Sequence, residues 1–420
     1  MAQYPSYKDS GFDWIGQIPS HWGLLKSKFL WCESFDTSAT GTEDLLSVSQ
    51  YDGVTPANGS RSESLVGYKV VQENSLVINI MLAWMGGLGV SAYNGLVSPA
   101  YCVYKLQGDN NPKYMHYLYK TPMYLAEFAR HSTGVIPSRW RMYTDDFGQV
   151  LTLIPPRKEQ DAMVAYLDAA TAKIDEAIAQ QQRMIDLLNE RKQIIIGQAV
   201  SKGIHNNVPM KDSGYDWIGL IPSHWKVIKT SYVFTHIGSG TTPSSGREDY
   251  YSEDGFYFLQ TGDLNDSYIK DTSRKITEKA LREVGLKIYP KGSLVIAMYG
   301  ATIGKLGILD IDTTVNQACC VLPETPSMNT RYAFYLFNAA KNDLIQQSKG
   351  GGQPNISQDT IRNERIIVPP IEEQAEIAQY IDSVCIPINT AIANAGLLIE
   401  RLQERKQIII NEVVTGKVKV

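Results

Sequence analysis

A tandem repeat constrains this chain more than any other feature. KDSGFDWIGQIPSHW at 8–22 returns as KDSGYDWIGLIPSHW at 211–225, with 13 of 15 positions identical at an offset of 203. IPPRKEQ at 154–160 matches VPPIEEQ at 368–374, and ERKQIII at 190–196 is repeated at 404–410, both at an offset of 214. Equal offsets at the last two pairs mean that the segment between them has one length in both copies. The growth from 203 to 214 means that the second middle region is 11 residues longer. A period this long implies two copies of one domain-sized unit that share their ends and differ between them.

Weaker echoes persist inside the middles at a third offset, 218. Ser75-Leu76-Val77-Ile78 aligns with Ser293-Leu294-Val295-Ile296, Leu88-Gly89-Val90 with Leu306-Gly307-Ile308, and Cys102-Val103 with Cys320-Val321. The two middles therefore read as one fold carrying different surface residues. Short β-branched runs bounded by Gly, Asn and Pro predict strands, and 113–130 and 330–347 carry helical spacing ahead of Gly134 and Gly350.

After Pro155-Pro156 and Pro369-Pro370 the pattern changes to a long helix, with Glu159 and Glu373 favourably placed in its first turn. A heptad seam runs through Leu167, Ile174, Gln181, Leu188 and Ile195, and its copy through Ile381, Ile388, Ala395, Leu402 and Ile409. Each helix spans roughly 60 Å at ~1.5 Å per residue. Pro387 is expected to kink the second helix or delay its start, and Gly396 to weaken it. An amphipathic helix of this length needs a partner, and its own copy is the nearest. So short a connection between the first helix and the second copy requires antiparallel pairing. The repeated DWIGxIPSHW segment is expected at the helix ends.

Composition removes several alternatives. An apolar share of 43% and a charged share of 20% are those of a globular chain. The first residues lack a signal-peptide layout and no apolar run is long enough to span a bilayer, so the expected home is the cytoplasm, away from membranes. Five cysteines without a CxxC indicate neither a disulfide framework nor a zinc site. No phosphate-binding GxxxxGK[ST], no NPPY-type tetrapeptide and no nucleophile–base set occurs, so no catalytic residue and no metal ligand is predicted. His21 and His224 beside Trp22 and Trp225 read as scaffold. The net charge of −4 disfavours nucleic acid on average. Locally, however, residues 128–143 carry Arg130, Arg139 and Arg141 without an acid, and 269–291 carry a net of +4.

The duplicated PPxxEQ helix starts (Pro155, Pro156, Glu159, Gln160; Pro369, Pro370, Glu373, Gln374) and the duplicated ERKQIII carry a specific resemblance. With them go VSPAY at 97–101, GTTP at 240–243, TGDL at 261–264 and GGGQPNIS at 350–357. The chain resembles the specificity subunit of type I restriction-modification enzymes over essentially its whole length. The resemblance implies an α+β fold: two β-rich target-recognition domains separated by two long antiparallel coiled-coil helices, with pseudo-two-fold symmetry from the tandem duplication. The expected divisions are 1–155 (first recognition domain), 156–200 (central helix), 201–210 (linker), 211–369 (second recognition domain) and 370–420 (C-terminal helix). It further implies a non-catalytic subunit that reads an asymmetric bipartite site in double-stranded DNA. Two methyltransferase subunits would dock on its helices, and in a restricting complex motor-nuclease (restriction) subunits would join them. S-adenosylmethionine, ATP and Mg2+ would belong to those partners, and no cofactor to this chain. The rival reading is a coiled-coil scaffold that joins partner proteins without touching DNA.

Side chains able to reach bases or phosphates from turn-like segments are the candidate readers. In the first domain these are Asn79, Trp84, Ser138, Arg139 and Arg141; in the second, Thr241, Thr242, Arg247, Lys349, Gln353, Asn355 and Ser357. For the coiled coil and partner docking they are Leu167, Ile174, Leu188, Ile195, Ile381, Ile388, Leu402 and Ile409. The helices predict a ruler. Inserting seven residues near Gln181 and near Ala395 preserves heptad register and adds about 10 Å. The unread spacer, mapped by long-read detection of methylated adenines, should then lengthen by about three base pairs at ~3.4 Å each. An unchanged spacer in an active complex would count against the ruler.

Overall fold

The computed structural model describes residues 2–50, 53–57, 64–136, 139–347 and 355–420. Two compact units emerge, and each combines segments distant in sequence: Met1–Gln182 with Gly396–Val420, and Arg183–Ala395. Each unit thus holds one β-rich domain, the first part of the long helix that follows it, and the last part of the other long helix.

Both domains are built on the same three strands. In the first, Tyr101–Leu106, Leu76–Asn79 and Leu88–Val90 are antiparallel neighbours in that order. In the second, Cys319–Leu322, Leu294–Ala297 and Leu306–Leu309 repeat the arrangement. These are the segments related by the 218 offset, and their inward residues are fully buried (Leu76, Val77, Leu88; Leu294, Val295, Leu306). The fourth strand differs. Trp31–Ser34 adds antiparallel to the Tyr101–Leu106 edge in the first domain, whereas Ser267–Ile269 adds parallel to the Leu306–Leu309 edge in the second. The second domain also carries a separate sheet of Arg274–Ile276, Tyr251–Leu259 and Thr314–Val315.

The domain ends are stitched alike. Gly23–Lys26 pairs with Leu151–Ile154, and Lys226–Lys229 with Arg365–Val368, so each domain closes just before its Pro-Pro pair. Helices follow at Pro112–Tyr119 and Thr330–Ala339, started by Asn111 and Asn329, whose side chains accept from the second and third backbone N–H groups beyond them.

The long helices run from Arg157 to Lys202 and from Ile371 to Val414. The second begins directly after its Pro-Pro pair and is continuous through Pro387, contrary to the expected delay. Pro387 is exposed, so the Ser383 carbonyl that loses its helical donor faces solvent. The helices are antiparallel neighbours. In the second unit Lys192 Nζ donates to Asn389 Oδ1 (2.9 Å) and His205 Nε2 meets Glu376 Oε2 (3.3 Å), so thirteen residues up one chain segment correspond to thirteen down the other. In the first unit Lys406 Nζ holds both oxygens of Asp175 (2.7 and 2.8 Å).

Leu167, Ile174, Ile381 and Ile388 are buried. Leu188, Ile195, Leu402 and Ile409 are only half-buried, and the inward positions pass to Ile196 and Ile410. A straight helix drifts about 20° per heptad against a 3.5-residue repeat, so a seam read strictly in sevens slips to the next residue after four heptads.

The duplicated motifs form two equivalent joints. Glu159 accepts hydrogen bonds from the Trp22 indole (3.1 Å) and lies 2.7 Å from His21 Nε2. Glu373 does the same with Trp225 (2.9 Å) and His224 (2.8 Å). Gln160 and Gln374 each accept from the backbone N–H of Asn111 or Asn329 (2.8 Å in both) and donate to the carbonyl of Pro155 or Pro369. Tyr114 donates to the Val414 carbonyl (3.1 Å) and Tyr332 to the Val200 carbonyl (3.2 Å), each gripping the end of the other long helix. Burial keeps both phenols well above the ordinary tyrosine range, hence neutral donors. Asp168, bound by Tyr117 and Lys113, and Asp382, bound by Tyr335 and Arg331, complete the set.

Trp22 and Trp225 are buried. Replacing Glu159 or Glu373 by Ala therefore strands an indole N–H, and each variant should lose about 1–3 kcal/mol in chemical denaturation. A change within error for both would show that the joint is dispensable.

Candidate nucleic-acid interface

Surfaces that bind nucleic acid need cations not already neutralised by carboxylates, and exposed ring faces. In the first domain, strand Leu76–Asn79 ends at Asn79, which is buried; its Oδ1 accepts from the Met81 N–H (3.1 Å). Asn79 thus shapes a turn and does not face outward. That turn presents Trp84, whose indole donates to the Met81 carbonyl (3.2 Å) and whose ring meets Trp140 edge-on at 5.3 Å. Trp140 lies on a narrow hairpin closed by reciprocal backbone bonds between Thr133 and Arg141 (2.9 Å each). Arg141 is half-buried and donates to the Trp140 carbonyl, while Arg139 is exposed and makes no side-chain bond among the described residues. Val135, 95% exposed, and Ile136 project nearby in sequence. Arg130 pairs with the buried carboxylate of Glu127 (2.6 Å) and adds little free positive charge. Ser138 lies outside the described residues.

In the second domain several expected readers are engaged. Arg247 makes two 2.7 Å bonds to Asp249 and lies over the Tyr250 ring at 4.4 Å, which holds its guanidinium firmly charged and Asp249 far below the usual carboxylate range. Ser357 caps the helix Gln358–Asn363 by accepting from the Thr360 N–H (3.0 Å). Thr242 donates to Gln317, and Thr241 is exposed. Asn355 is exposed and lines a cavity of about 460 Å³ with Gln347, Ser357, Asp359, Thr360 and Asn363. Lys349 and Gln353 lie outside the described residues.

A second group of cations lies along 269–291. Of the seven cations between 269 and 291, Lys279 pairs with Asp249, Arg282 with Glu278 and Lys291 with Asp310. Arg274, Lys275 and Lys287 have no carboxylate partner among the described residues, and Lys270 acts on Asp310 by its charge without pairing with it. Arg274 lies over Tyr251 (5.6 Å) and Lys275 over Tyr257 (5.0 Å), so the ladder of Tyr251–Leu259 with Arg274–Ile276 holds cations on ring faces. A cleft of about 660 Å³ runs beside it, where Arg274 and Lys275 share the wall with Tyr251 and the carboxylates of Glu248, Glu253 and Asp271. The local charge of 269–291 was the only sequence signal for this surface, because the rings beneath it come from a strand some twenty residues earlier. Among the described residues no group of three or more His, Cys, Asp or Glu side chains could hold a metal ion.

Residues 222–396 match the family described as type I restriction modification DNA specificity domain. The MjaIX specificity subunit of Methanocaldococcus jannaschii, a type I restriction enzyme component, is 31% identical over 166 residues, 38% of each chain. The MjaVIII specificity subunit of the same organism is 26% identical over 287 residues, 65% of this chain and 63% of that one. The EcoBI specificity subunit of Escherichia coli is 23% identical over 325 residues, 73% and 67%. The chain thus aligns with 38% and 63% of the lengths of the first two relatives. Two solved structures share the fold. A chain from work on complex assembly and conformational transition of the type I R-M system has a TM-score of 0.72 at 15% identity, covering 96% of this chain and 99% of that one. The HsdS subunit of Thermoanaerobacter tengcongensis has a TM-score of 0.50 at 16% identity, covering 96% and 98%.

Proposed function

We propose that the chain is a specificity subunit of the type I restriction-modification kind and reads an asymmetric, bipartite site in double-stranded DNA, one half-site per domain. The observation that carries this reading is the contrast inside the repeat. The three-strand framework and the joints to the helices are the same twice, while the fourth strand, the added sheet and the exposed side chains differ. Two identical readers would suit a palindrome, and two different ones on one scaffold suit a split site. The recognition domains are 1–155 and 211–369, joined by the helices Arg157–Lys202 and Ile371–Val414, the first of which runs two residues into the expected linker and the second of which stops six residues short of 420.

The readers in the first domain are Trp84, Arg139 and Arg141, with Ser138 next to Arg139 in sequence. In the second they are Arg274 and Lys275, with Thr241, Thr242, Asn355 and the neighbouring Lys349 and Gln353. Chemistry belongs to partners: adenine methylation with S-adenosylmethionine, and ATP- and Mg2+-dependent cleavage where a restriction subunit is present. The long helices offer those partners apolar surface. Leu187, Ile194, Ile386, Leu397 and Ile408 are all exposed in the chain by itself, and such surface implies a covering protein. The second helix is long and apolar enough to cross a membrane by length and composition alone; docking of methyltransferase subunits in the cytoplasm accounts for the same character.

Long-read mapping of methylated adenines, in cells expressing the chain with its methyltransferase partner, should reveal one split motif; an active partner that deposits no such motif would sink the reading. Arg141→Ala and Arg274→Ala should each weaken binding by about 1–3 kcal/mol, affecting opposite half-sites. A variant that loses only a phosphate contact should weaken all sequences alike and flatten the salt dependence by about one unit of slope.

A further inference from the structure

We propose that the loop at 10–16 and its copy at 213–219 are two equivalent docking knuckles, each gripping one copy of a protein that presents a basic side chain beside an apolar hollow. On the reading above, that protein is the methyltransferase subunit. Most of the loop is explained by its own folding. Asp9 and Asp212 accept from the N–H of Gly11 and Gly214 (2.9 Å each), Ser10 and Ser213 accept from the N–H of Phe12 and Tyr215 (3.2 Å each), and Gly16 and Gly219 return a carbonyl to Ser10 and Ser213 (3.0 Å each). Gly11, Gly16, Gly214 and Gly219 occupy the left-handed region that favours glycine. Trp14 faces inward, edge-on to the buried Tyr124 at 5.4 Å.

The side chains at two positions take no part in that bonding, although the Tyr215 ring already carries Arg365 of its own chain at 5.8 Å. Phe12 and Tyr215 stand 44% and 37% exposed. Beside them Asp13 and Asp216 are exposed and make no hydrogen bond or ion pair among the described residues. Drift would be free to change such residues, yet the second copy keeps the aromatic and the acid. An exposed aromatic recurs at the same offset of 203 in the next turn, at Phe29 (63%) and Tyr232 (74%). The two positions flank one strand pair: Arg365 lies 5.8 Å from the Tyr215 ring and is paired with Lys229, which leads into the turn Thr230–Val233. In the first copy, Phe12, Asp13 and Trp14 border a cavity of about 590 Å³ with Met123, Glu127 and Arg130.

The chemistry selects the occupant. An unpaired carboxylate at the crest repels phosphates, so DNA is disfavoured there. A carboxylate next to an exposed ring suits an Arg or Lys whose stem or neighbours cover the ring. The surfaces proposed to read DNA differ between the copies, whereas the knuckles are the same, so whatever binds them binds twice.

The test uses the full chain with the purified methyltransferase subunit, followed by native mass spectrometry and calorimetric titration. Asp13→Lys or Asp216→Lys alone should leave one site intact and weaken the other at least tenfold; the double variant should weaken both. Melting temperatures should hold, because neither side chain has an internal partner. Phe12→Ala with Tyr215→Ala should act in the same direction, which guards against an effect of charge alone. Two unchanged sites in the double charge variant would overturn the proposal, as would intact docking with lost DNA binding. Wild-type chain that takes up no methyltransferase subunit would instead break the underlying reading of function.

Discussion

Each domain holds the start of one long helix and the end of the other, and the rest of the structure depends on that double grip. The start is held by a carboxylate in the first helical turn, Glu159 or Glu373, which receives the indole N–H of a buried Trp and lies within hydrogen-bond distance of a His ring. A carboxylate there also faces the positive end of the helix dipole. The end is held by a buried phenol, Tyr114 or Tyr332, donating to a carbonyl in the last turns, Val414 or Val200. Beyond each helix a left-handed glycine lets the chain turn against the same Trp: a Cβ on Gly416 would meet the Trp22 ring at 2.8 Å, and one on Gly203 the Trp225 ring at 3.2 Å. Buried donors and acceptors tolerate little change, because each one lost leaves its partner stranded away from water.

That rigidity confines divergence to the middle of each domain. The shared three-strand core can be extended on either edge, since an edge strand offers free N–H and C=O groups to whatever segment lies nearby. The first domain extends one edge with Trp31–Ser34 and the second extends the other with Ser267–Ile269, so the loops carried by each arise in different places. Internal joints kept identical and outer surfaces allowed to differ are what a two-part reader on a common scaffold requires.

How far the sequence could be read varied with the range of the interaction. The repeat, the strand cores at the 218 offset and the two helix starts depend on local pattern and were legible. The helical seam was legible at Leu167, Ile174, Ile381 and Ile388 but drifted by one residue at Ile196 and Ile410, because real helices turn every 3.6 residues. Pro387 looked like an interruption, yet its exposed position leaves the freed carbonyl to water. Among candidate readers, Asn79, Arg247 and Ser357 have the right chemistry but are engaged within the fold, by Met81, Asp249 and Thr360. Arg274 and Lys275 were visible only as part of a basic stretch, since the rings that seat them, Tyr251 and Tyr257, come from another strand.

By itself the sequence determined the duplication, the equal length of the helical segments, the unequal length of the middles and the family that these features resemble. All of these are statements about order and spacing along the chain. Only the tertiary structure decided which polar side chains remain available to a partner. That depends on whether a donor or acceptor elsewhere has already claimed them. Hydrogen-bond satisfaction is settled between residues more than a hundred positions apart, as when Trp22 meets Glu159 or Tyr114 meets Val414.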